Sequence, residues 1–490
     1  MQPHKKFAFD VGITFLASVV SLPLGFVITI TLGRFLGAGD LGLYRMASTI
    51  YGIVMLFAAV GIPATITKYV AEFKNDRIKF NQIVSSGVIT SLFLGVGFAV
   101  LFYFSSGLFA DIFDMHGLSG LIKILSPVFP FALVGGALLG LLNGIREMTK
   151  YTVATIIQSV LMVIITVVLI YCGFGVAGAV AGVVLSSVGS SLFLIFVSRN
   201  YFKITLIEYL STTKKMLRFG VQVLAAGSIN QINNQLDIIL IGFFLISTDI
   251  GHYAVAVGLS RFFWLIPLSV QRITYPATSS YWSENNHSAL SNMLNKSMKY
   301  CTIILVLIGL GVGFFAKDII TTLFKEDFIY AVLPLQILLV GTVIRGSIAQ
   351  PIGGSLSGIG RPGLTLKIVA IIATINATLD IILIPQIGIV GAAIATTISL
   401  SAGAFIGLFL VVKFVHIKFD VKWYLGIIGV ALMAIVLFKF GMVFVNQFLL
   451  GGVILIGYSI LIFRFFLTCL LYTSDAADEL DGVDLGGRRI

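Results

Sequence analysis

Long apolar runs alternate with short polar loops along most of the chain, and this pattern predicts membrane-spanning helices. A spanning helix needs roughly 20 mainly apolar residues, and fourteen runs of that kind occur in the sequence. They lie near residues 9–33, 43–66, 83–106, 119–144, 151–173, 175–198, 219–245, 250–278, 299–324, 330–358, 363–385, 388–412, 423–445 and 449–468. The pattern therefore predicts an all-α integral membrane protein with about fourteen transmembrane helices.

Charged residues in the loops predict the orientation of these helices. Lys and Arg concentrate in every second loop, beginning with Lys5 before the first run and including the long loop of residues 199–218. The opposite loops carry few basic residues, and Lys317 and Lys325 are the main exceptions. Because basic loops stay on the cytoplasmic side, we expect a multi-pass protein of the cytoplasmic membrane with both termini in the cytoplasm.

The chain repeats itself at a nearly constant distance. LGAGDLGLY (36–44) is similar to LISTDIGHY (245–253), and GVAGA (175–179) is similar to GIVGA (388–392), with offsets of 209 and 213 residues. Such a repeat predicts two parallel six-helix lobes, related by an axis along the membrane normal, with two extra helices at the C-terminal end. The expected divisions are an N-terminal lobe, an inter-lobe loop, a C-terminal lobe and the extra helices, at residues 1–198, 199–218, 219–414 and 415–468.

Composition and motifs exclude several classes of protein. Of the 490 residues, 58% are hydrophobic and 11% are charged, whereas soluble domains carry roughly a quarter charged residues. The sequence lacks the HExxH, GxSxG and GxxxxGK[ST] motifs of zinc hydrolases, serine hydrolases and ATPases. We therefore expect neither an enzyme nor a bound cofactor or metal. The net charge of +11 lies in loops between apolar runs, so it reflects membrane orientation and does not indicate nucleic-acid binding.

The last residues differ in composition from the rest of the chain. CLLYTSDAADE and GVDLGGRRI, within residues 469–490, resemble the translation of a transposase-type sequencing adapter. We interpret this segment as non-native and leave it out of the fold. Because it begins inside an apolar run, we interpret the last helix as truncated.

The seventh apolar run contains the richest polar cluster, between Asn230 and Asp237. Asn230, Asn234 and Asp237 share one helical stripe. A carboxylate inside a membrane is costly, so it faces a cavity, a partner or an ion. Asp237 is therefore a candidate site for a coupling H+ or Na+, and Asn230 and Asn234 are candidates for substrate contact. A structural hydrogen bond from Asp237 to a neighbouring helix is an equal alternative.

Cationic residues within the apolar runs predict a cavity that accepts anions. Arg261 and Arg272 lie eleven residues apart on one helix face, and Arg345 lies in the tenth run. A guanidinium suits bidentate pairing with phosphate, although Arg272 also fits an interfacial, snorkelling position. Lys68 and Arg45 are the comparable cations of the first half, and Arg45 beside a short outer loop fits an anchor better.

Four longer segments resemble a known family: TLGRFLGAGDLGLYRMAS, GIPATITKYVAEF, PFALVGGALLGLLNGIREMTKY and GIVGAAIATTISL. They are similar to the polysaccharide-exporter branch of the superfamily that also holds multidrug-and-toxin extruders and lipid II flippases. The resemblance implies a two-lobed, MATE-like transporter of a bacterial or archaeal cytoplasmic membrane. It further implies export of lipid-linked oligosaccharides by alternating access through an often cationic cavity. From their positions along the runs, we place Arg261, Arg345 and Asp237 in that cavity.

The function we expect is flipping of a pyrophosphate-linked oligosaccharide on an undecaprenyl- or dolichyl-type lipid to the outer leaflet. Its expected partners are this substrate, membrane lipids, H+ or Na+, and a polymerase or glycosyltransferase of the same polysaccharide. The alternatives are a cation-coupled multidrug antiporter, a lipid II-type flippase, a membrane glycosyltransferase or polymerase, and a cell-wall scaffold. Basic intramembrane residues argue against the antiporter, and short outer loops argue against the glycosyltransferase.

Overall fold

The computed structural model describes residues 3–415, 417 and 419–464, and the regular structure in these residues is helical throughout. Hydrocarbon offers no hydrogen bonds to a backbone, so a spanning segment must satisfy its own N–H and C=O groups, as a helix does. The segment that we interpret as adapter-derived, residues 469–490, lies outside the described residues, as does the end of the last predicted helix.

The described residues form 21 α-helices. In chain order these are α1 (Pro3–Leu36), α2 (Ala38–Ala59), α3 (Ile62–Glu72), α4 (Arg77–Phe104), α5 (Ser106–Ile112), α6 (His116–Leu125), α7 (Val128–Gly144), α8 (Met148–Tyr171), α9 (Gly175–Ser198), α10 (Tyr209–Phe244), α11 (Ser247–Arg261), α12 (Leu265–Ser283), α13 (His287–Phe314), α14 (Ala316–Phe324), α15 (Val332–Ile344), α16 (Gln350–Ile352), α17 (Ser355–Gly358), α18 (Pro362–Ile387), α19 (Ile389–Val415), α20 (Val421–Gly441) and α21 (Gln447–Ile462). Short 3-10 turns at Phe262–Trp264 and Glu326–Ala331 and a π-helical turn at Arg345–Ala349 join some of them.

Eleven helical segments among the described residues are long and apolar enough to cross a membrane, or twelve when α6 and α7, bent by 48°, count as one span. The all-α membrane fold is thus confirmed, but the count of fourteen is not. Two of the predicted spans do not have the length and hydropathy of a membrane-crossing helix. They correspond to α10 and α21. Helix α10 has 36 residues, but its polar cluster lowers its mean hydropathy. Helix α21 has 16 described residues.

The chain divides into two compact units. Unit 1 contains the described residues up to Gly258 together with Leu323–Ala331 and Ala377–Ala392, and unit 2 contains the remainder. Four helices therefore contribute to both units: α11, α14, α18 and α19. These units are defined by compact packing, whereas the lobe boundaries come from repeated sequence. The lobe boundaries therefore stay a prediction.

Each unit has its own apolar core. In unit 1, α3, α4 and α7 pack around fully buried side chains such as Ile66, Val84 and Leu141. In unit 2, α13, α20 and α21 contact one another around Leu294 and Ile427. Many apolar side chains on the outer faces of these helices are exposed in turn, as expected for surfaces that face lipid.

An ion pair joins α13 to the start of α20 in unit 2. The Lys299 ammonium lies 3.0 Å from Oδ2 of Asp420 and 5.0 Å from the Trp423 ring. Oδ1 of Asp420 accepts a hydrogen bond from the Trp423 backbone N–H at 3.2 Å, which caps α20. Burial acts to raise the pKa of Asp420, but these hydrogen bonds outweigh burial and hold the pKa below its usual value. The cap therefore stays charged at neutral pH.

Helices α2 and α11 approach each other most closely at glycines that the internal repeat relates. A Cβ on Gly42 would overlap the backbone carbonyl of Ser247, and a Cβ on Gly251 would overlap that of Ala38. Both helices therefore offer small residues four positions apart, which lets the two backbones touch. The crossing is symmetric, because each repeat copy supplies the same pair of positions.

We expect Gly42→Ala to destabilise this crossing by about 1–3 kcal/mol, because the new methyl group meets backbone that cannot move aside alone. The matched control is Gly39→Ala, one turn earlier on α2, where a Cβ would lie 3.5 Å from the Thr248 hydroxyl in ordinary contact. Thermal unfolding of the detergent-purified protein measures the effect of each substitution on stability. A lower melting temperature for Gly42→Ala but not for Gly39→Ala is expected, and equal melting temperatures would contradict the close crossing.

Candidate functional site

The polar segment of α10 is tied to neighbouring helices of unit 1 by hydrogen bonds. The Thr49 hydroxyl of α2 donates to Oε1 of Gln235 at 3.4 Å. The Tyr253 hydroxyl of α11 donates to Oδ2 of Asp237 at 2.6 Å, and the Tyr253 side chain is fully buried. A charged or amide group within a membrane needs such partners, because lipid supplies none.

A second carboxyl group lies beside Asp237. Asp380 of α18 is fully buried, and its carboxyl group lies within interaction distance of that of Asp237. An ionised carboxylate can only accept hydrogen bonds, so two carboxyl groups in direct contact need a proton or a cation between them. Asp237, Asp380 and Tyr253 together, which we call the carboxyl pair site, can therefore hold one positive charge.

One turn before Asp380, α18 carries Asn376. Its Oδ1 accepts a hydrogen bond from the Ser399 hydroxyl of α19 at 2.8 Å, in unit 2. The sequence suggests a local pair between Asn376 and Asp380, four residues apart, and this pair stays a prediction. What the sequence does not reveal is the contact of Asp380 with Asp237, because the two lie 143 residues apart in the chain.

In unit 2 the helix geometry changes at Arg345. Helix α15 ends at Ile344 and a π-helical turn follows at Arg345–Ala349; such turns often accompany functional positions. The Arg345 guanidinium lies 4.6 Å from the centroid of the Trp264 ring. Trp264 closes the 3-10 turn that directly follows Arg261 in the chain. Trp264 is therefore close to Arg261 in sequence and in contact with Arg345 in space.

The other predicted site residues differ in their exposure. Asn230 and Arg272 are exposed, and Asn234 is half-buried on α10. Lys68 is exposed at the end of α3, with its ammonium 4.1 Å from the Phe219 ring. Arg45 is half-buried one turn before Thr49 on α2. Their assignment to a substrate cavity stays a prediction, as does that of Arg261 and Arg345.

Sequence reasoning missed two participants. Trp264 follows Phe262 and Phe263 directly after Arg261 in the sequence. Its contact with Arg345 depends on the packing of two segments that are distant in the chain. Tyr253 was visible only as the repeat partner of Tyr44, which is also buried. Neither signal by itself indicates a hydrogen bond to Asp237 or a cation–π contact.

These features define a multi-pass, all-helical membrane protein with polar and cationic groups placed inside its helix bundles. The sequence profile of the family described as Polysaccharide biosynthesis protein matches residues 7–282, which is more than half of the chain. The chain therefore belongs to this family, and the resemblance inferred from the four sequence segments is confirmed.

Several characterised or named proteins are similar in sequence. The probable low-salt glycan biosynthesis flippase Agl15 of Haloferax volcanii is 29% identical over 38% of this chain, and the match covers 39% of Agl15. The probable flippase AglR of the same organism is 24% identical over 81% of this chain and 82% of AglR. Stage V sporulation protein B of Bacillus subtilis is 30% identical over 38% of each chain.

Solved structures establish the fold. The lipid II flippase MurJ in an inward closed conformation matches with a TM-score of 0.74 at 18% identity, over 92% of this chain and 99% of that chain. An inward-facing multidrug resistance MATE family transporter of the MOP superfamily matches with a TM-score of 0.71 at 18% identity, over 81% of this chain and 94% of that chain. The expected MATE-like fold is therefore confirmed.

The contact between Arg345 and Trp264 is testable by a double-mutant cycle with Arg345→Gln and Trp264→Leu. A partly desolvated cation–π pair contributes about 0.5–2 kcal/mol, so we expect a coupling free energy of unfolding in that range. Trp264→Phe, which keeps an aromatic face, serves as the control and should retain most of the coupling. Additive effects of the two substitutions would contradict the contact.

Proposed function

We propose that this protein is a flippase or exporter that moves a lipid-linked oligosaccharide across the cytoplasmic membrane by alternating access. The observation that carries the proposal is Arg345, a half-buried guanidinium at a π-helical turn within a membrane-spanning segment. A cation at this depth is costly unless it serves a pathway or an anionic ligand. The phosphate groups of a lipid-linked sugar are such a ligand.

The comparisons support the same proposal. The family description refers to polysaccharide biosynthesis, and two relatives are named as flippases, one of them in glycan biosynthesis. The physical task of such a protein is to shield a hydrophilic glycan from hydrocarbon while its lipid tail stays in the bilayer. This task requires binding and release and no covalent chemistry, which agrees with the absence of catalytic motifs in the sequence.

Arginine suits the phosphate end of this substrate. A guanidinium remains charged and offers donors in a planar fork that matches phosphate oxygens. The Trp264 ring lies 4.6 Å from the Arg345 guanidinium, and such a cation–π contact restricts the side chain while N–H groups of the guanidinium can still donate to a ligand. We assign Arg345 and Arg261 of unit 2 to the phosphate groups.

The carboxyl pair site is the proposed site of ion coupling. Asp237 and Asp380 together hold one H+ or Na+, and Tyr253 orients Asp237 through its hydroxyl. Loss of that cation would leave two carboxylates in contact within the bundle, which repel each other. Binding and release of the cation therefore change the free energy of the arrangement of α10, α11 and α18, and this change couples transport to the transmembrane gradient of that cation.

The symmetric crossing of α2 and α11 fits alternating access. Backbone contact at Gly42 and Gly251 closes one end of these helices, and their separation would open it. Because both contacts are made by small side chains with little interdigitation, the crossing can part without repacking large residues. The charge of the loops supports an orientation with both termini in the cytoplasm. Polymerases or glycosyltransferases of the same polysaccharide are the proposed partners.

Liposomes that contain the full chain and a fluorescent lipid-pyrophosphate oligosaccharide test the substrate assignment. We expect Arg345→Gln to slow flipping by roughly tenfold or more, because it removes a charge-assisted hydrogen bond to phosphate. The matched control is Arg361→Gln, whose guanidinium also stacks on a ring, 4.0 Å from Phe414, but lies in a loop between helices. Wild-type protein that flips no such lipid but takes up an organic cation dye would favour the multidrug antiporter instead.

Ion coupling is tested by the same transport assay under imposed Na+ or H+ gradients. We expect wild-type transport to respond to one gradient, and Asp237→Asn and Asp380→Asn each to lose that response because one negative charge of the pair site is gone. Asp111→Asn, at an exposed position of α5, is the control and should behave as wild type. A gradient response that survives in both pair-site variants would rule out the assigned site.

A further inference from the structure

A cavity of about 280 Å³ lies in unit 1, away from the carboxyl pair site. It is formed by the end of α3, the beginning of α4 and the first turns of α10. Six of its lining residues carry the argument: Tyr69, Phe73, Lys79, Glu208, Thr212 and Lys215. Nothing in the proposed transport cycle uses this cavity.

Two lysines and two stacked aromatic rings form one side of the cavity. The Tyr69 and Phe73 ring centroids lie 6.4 Å apart in a stacked arrangement. The Lys215 ammonium lies 4.9 Å from the Tyr69 ring and 5.6 Å from the Phe73 ring. The Lys79 ammonium lies 5.2 Å from the Phe73 ring. Both ammonium groups thus lie near the Phe73 ring, which lines the cavity.

The two lysines differ in their negative partners. Lys79 forms an exposed ion pair with Asp76, at 3.4 Å. In the described part of the chain, no carboxylate forms an ion pair with Lys215. Two ammonium groups over adjacent rings repel each other, and an anion placed between them would remove that repulsion. A phosphate group, with several acceptor oxygens, can accept hydrogen bonds from both.

The cavity can also bind a hydrogen-bond donor. Glu208, directly before α10, and Thr212 on its first turn line the cavity. A carboxylate only accepts hydrogen bonds, so Glu208 disfavours a bare phosphate and favours a phosphate ester whose alcohol carries hydroxyl or ammonium groups. The cavity therefore offers ammonium groups to a phosphate and a carboxylate to the group esterified to it.

The position of the cavity along the helices indicates which molecules reach it. Helix α3 ends at Glu72, α4 begins at Arg77 and α10 begins at Tyr209, so the cavity lies where apolar helices meet polar loops. Lipid headgroups occupy this depth of a bilayer. The hydrocarbon chains of a bound lipid would lie along the exposed apolar side chains of the neighbouring spans.

We propose that this cavity binds the headgroup of a membrane phospholipid whose phosphate is esterified to a hydroxyl- or ammonium-bearing alcohol, such as glycerol or ethanolamine. Lys79 and Lys215 bind the phosphate, and Glu208 accepts from the alcohol or ammonium. Binding here joins α3, α4 and α10 through one ligand and is independent of the transported substrate.

The test titrates the detergent-purified full chain with short-chain phosphatidylglycerol and reads bound lipid by native mass spectrometry. We expect the double variant Lys79→Gln/Lys215→Gln to weaken binding by roughly tenfold or more. Lys214→Gln is the matched control, because Lys214 is an exposed neighbour on α10 that does not line the cavity. Unchanged affinity of the double variant would overturn the proposal.

Two further arms distinguish the source of the phosphate and the role of Glu208. Phosphatidylcholine carries the phosphate but no hydrogen-bond donor on its headgroup, so we expect it to bind more weakly than phosphatidylglycerol. We expect Glu208→Gln to reduce the difference in affinity between the two lipids. Inorganic phosphate should compete poorly. If inorganic phosphate displaces phosphatidylglycerol at equal concentration, or if the two lipids bind equally, the cavity is not a site for this class of headgroup. A thermal unfolding curve like that of wild type establishes that each variant is folded.

Discussion

Hydrocarbon cannot form hydrogen bonds, and this one property of the bilayer constrains the whole structure. It requires helical backbone in each spanning segment and a partner for each polar side chain that enters the bundle. The polar segment of α10 meets the requirement through neighbours on three other helices: Thr49 on α2, Tyr253 on α11 and Asp380 on α18. The polar groups that could carry function are therefore also the groups that fix the packing of these helices.

Close helix contact in such a protein depends on small residues, since apolar side chains gain little from leaving lipid for protein. The crossing of α2 and α11 illustrates this point. Gly42 and Gly251 occupy matching positions in the two copies of the repeat, and each lets the other helix's backbone approach. The contact is therefore symmetric with respect to the repeat.

Each of the two units holds a distinct polar site. Unit 1 holds paired carboxyl groups, which suit a small cation, and unit 2 holds Arg345 over Trp264, which suits an oxyanion. A protein that couples ion movement to movement of a phosphate-bearing lipid needs both kinds of site. The lysine-lined cavity of unit 1 is the proposed site of a third kind, for a phospholipid headgroup.

The sequence by itself determined the all-helical membrane fold, the positions of most spans, the internal repeat and the family, because apolar run length and repeated motifs are local properties of the chain. It also singled out Asp237, Arg261 and Arg345 as unusual, since charge within an apolar run needs no structure to be noticed. Its count of fourteen spans is not confirmed, because α10 carries too many amides to pass as a plainly apolar helix and α21 has only 16 described residues. Only the tertiary structure decided that Asp380 faces Asp237 and that Trp264 lies under Arg345. These contacts join residues distant in the chain, and helix packing, not sequence spacing, determines which of them meet.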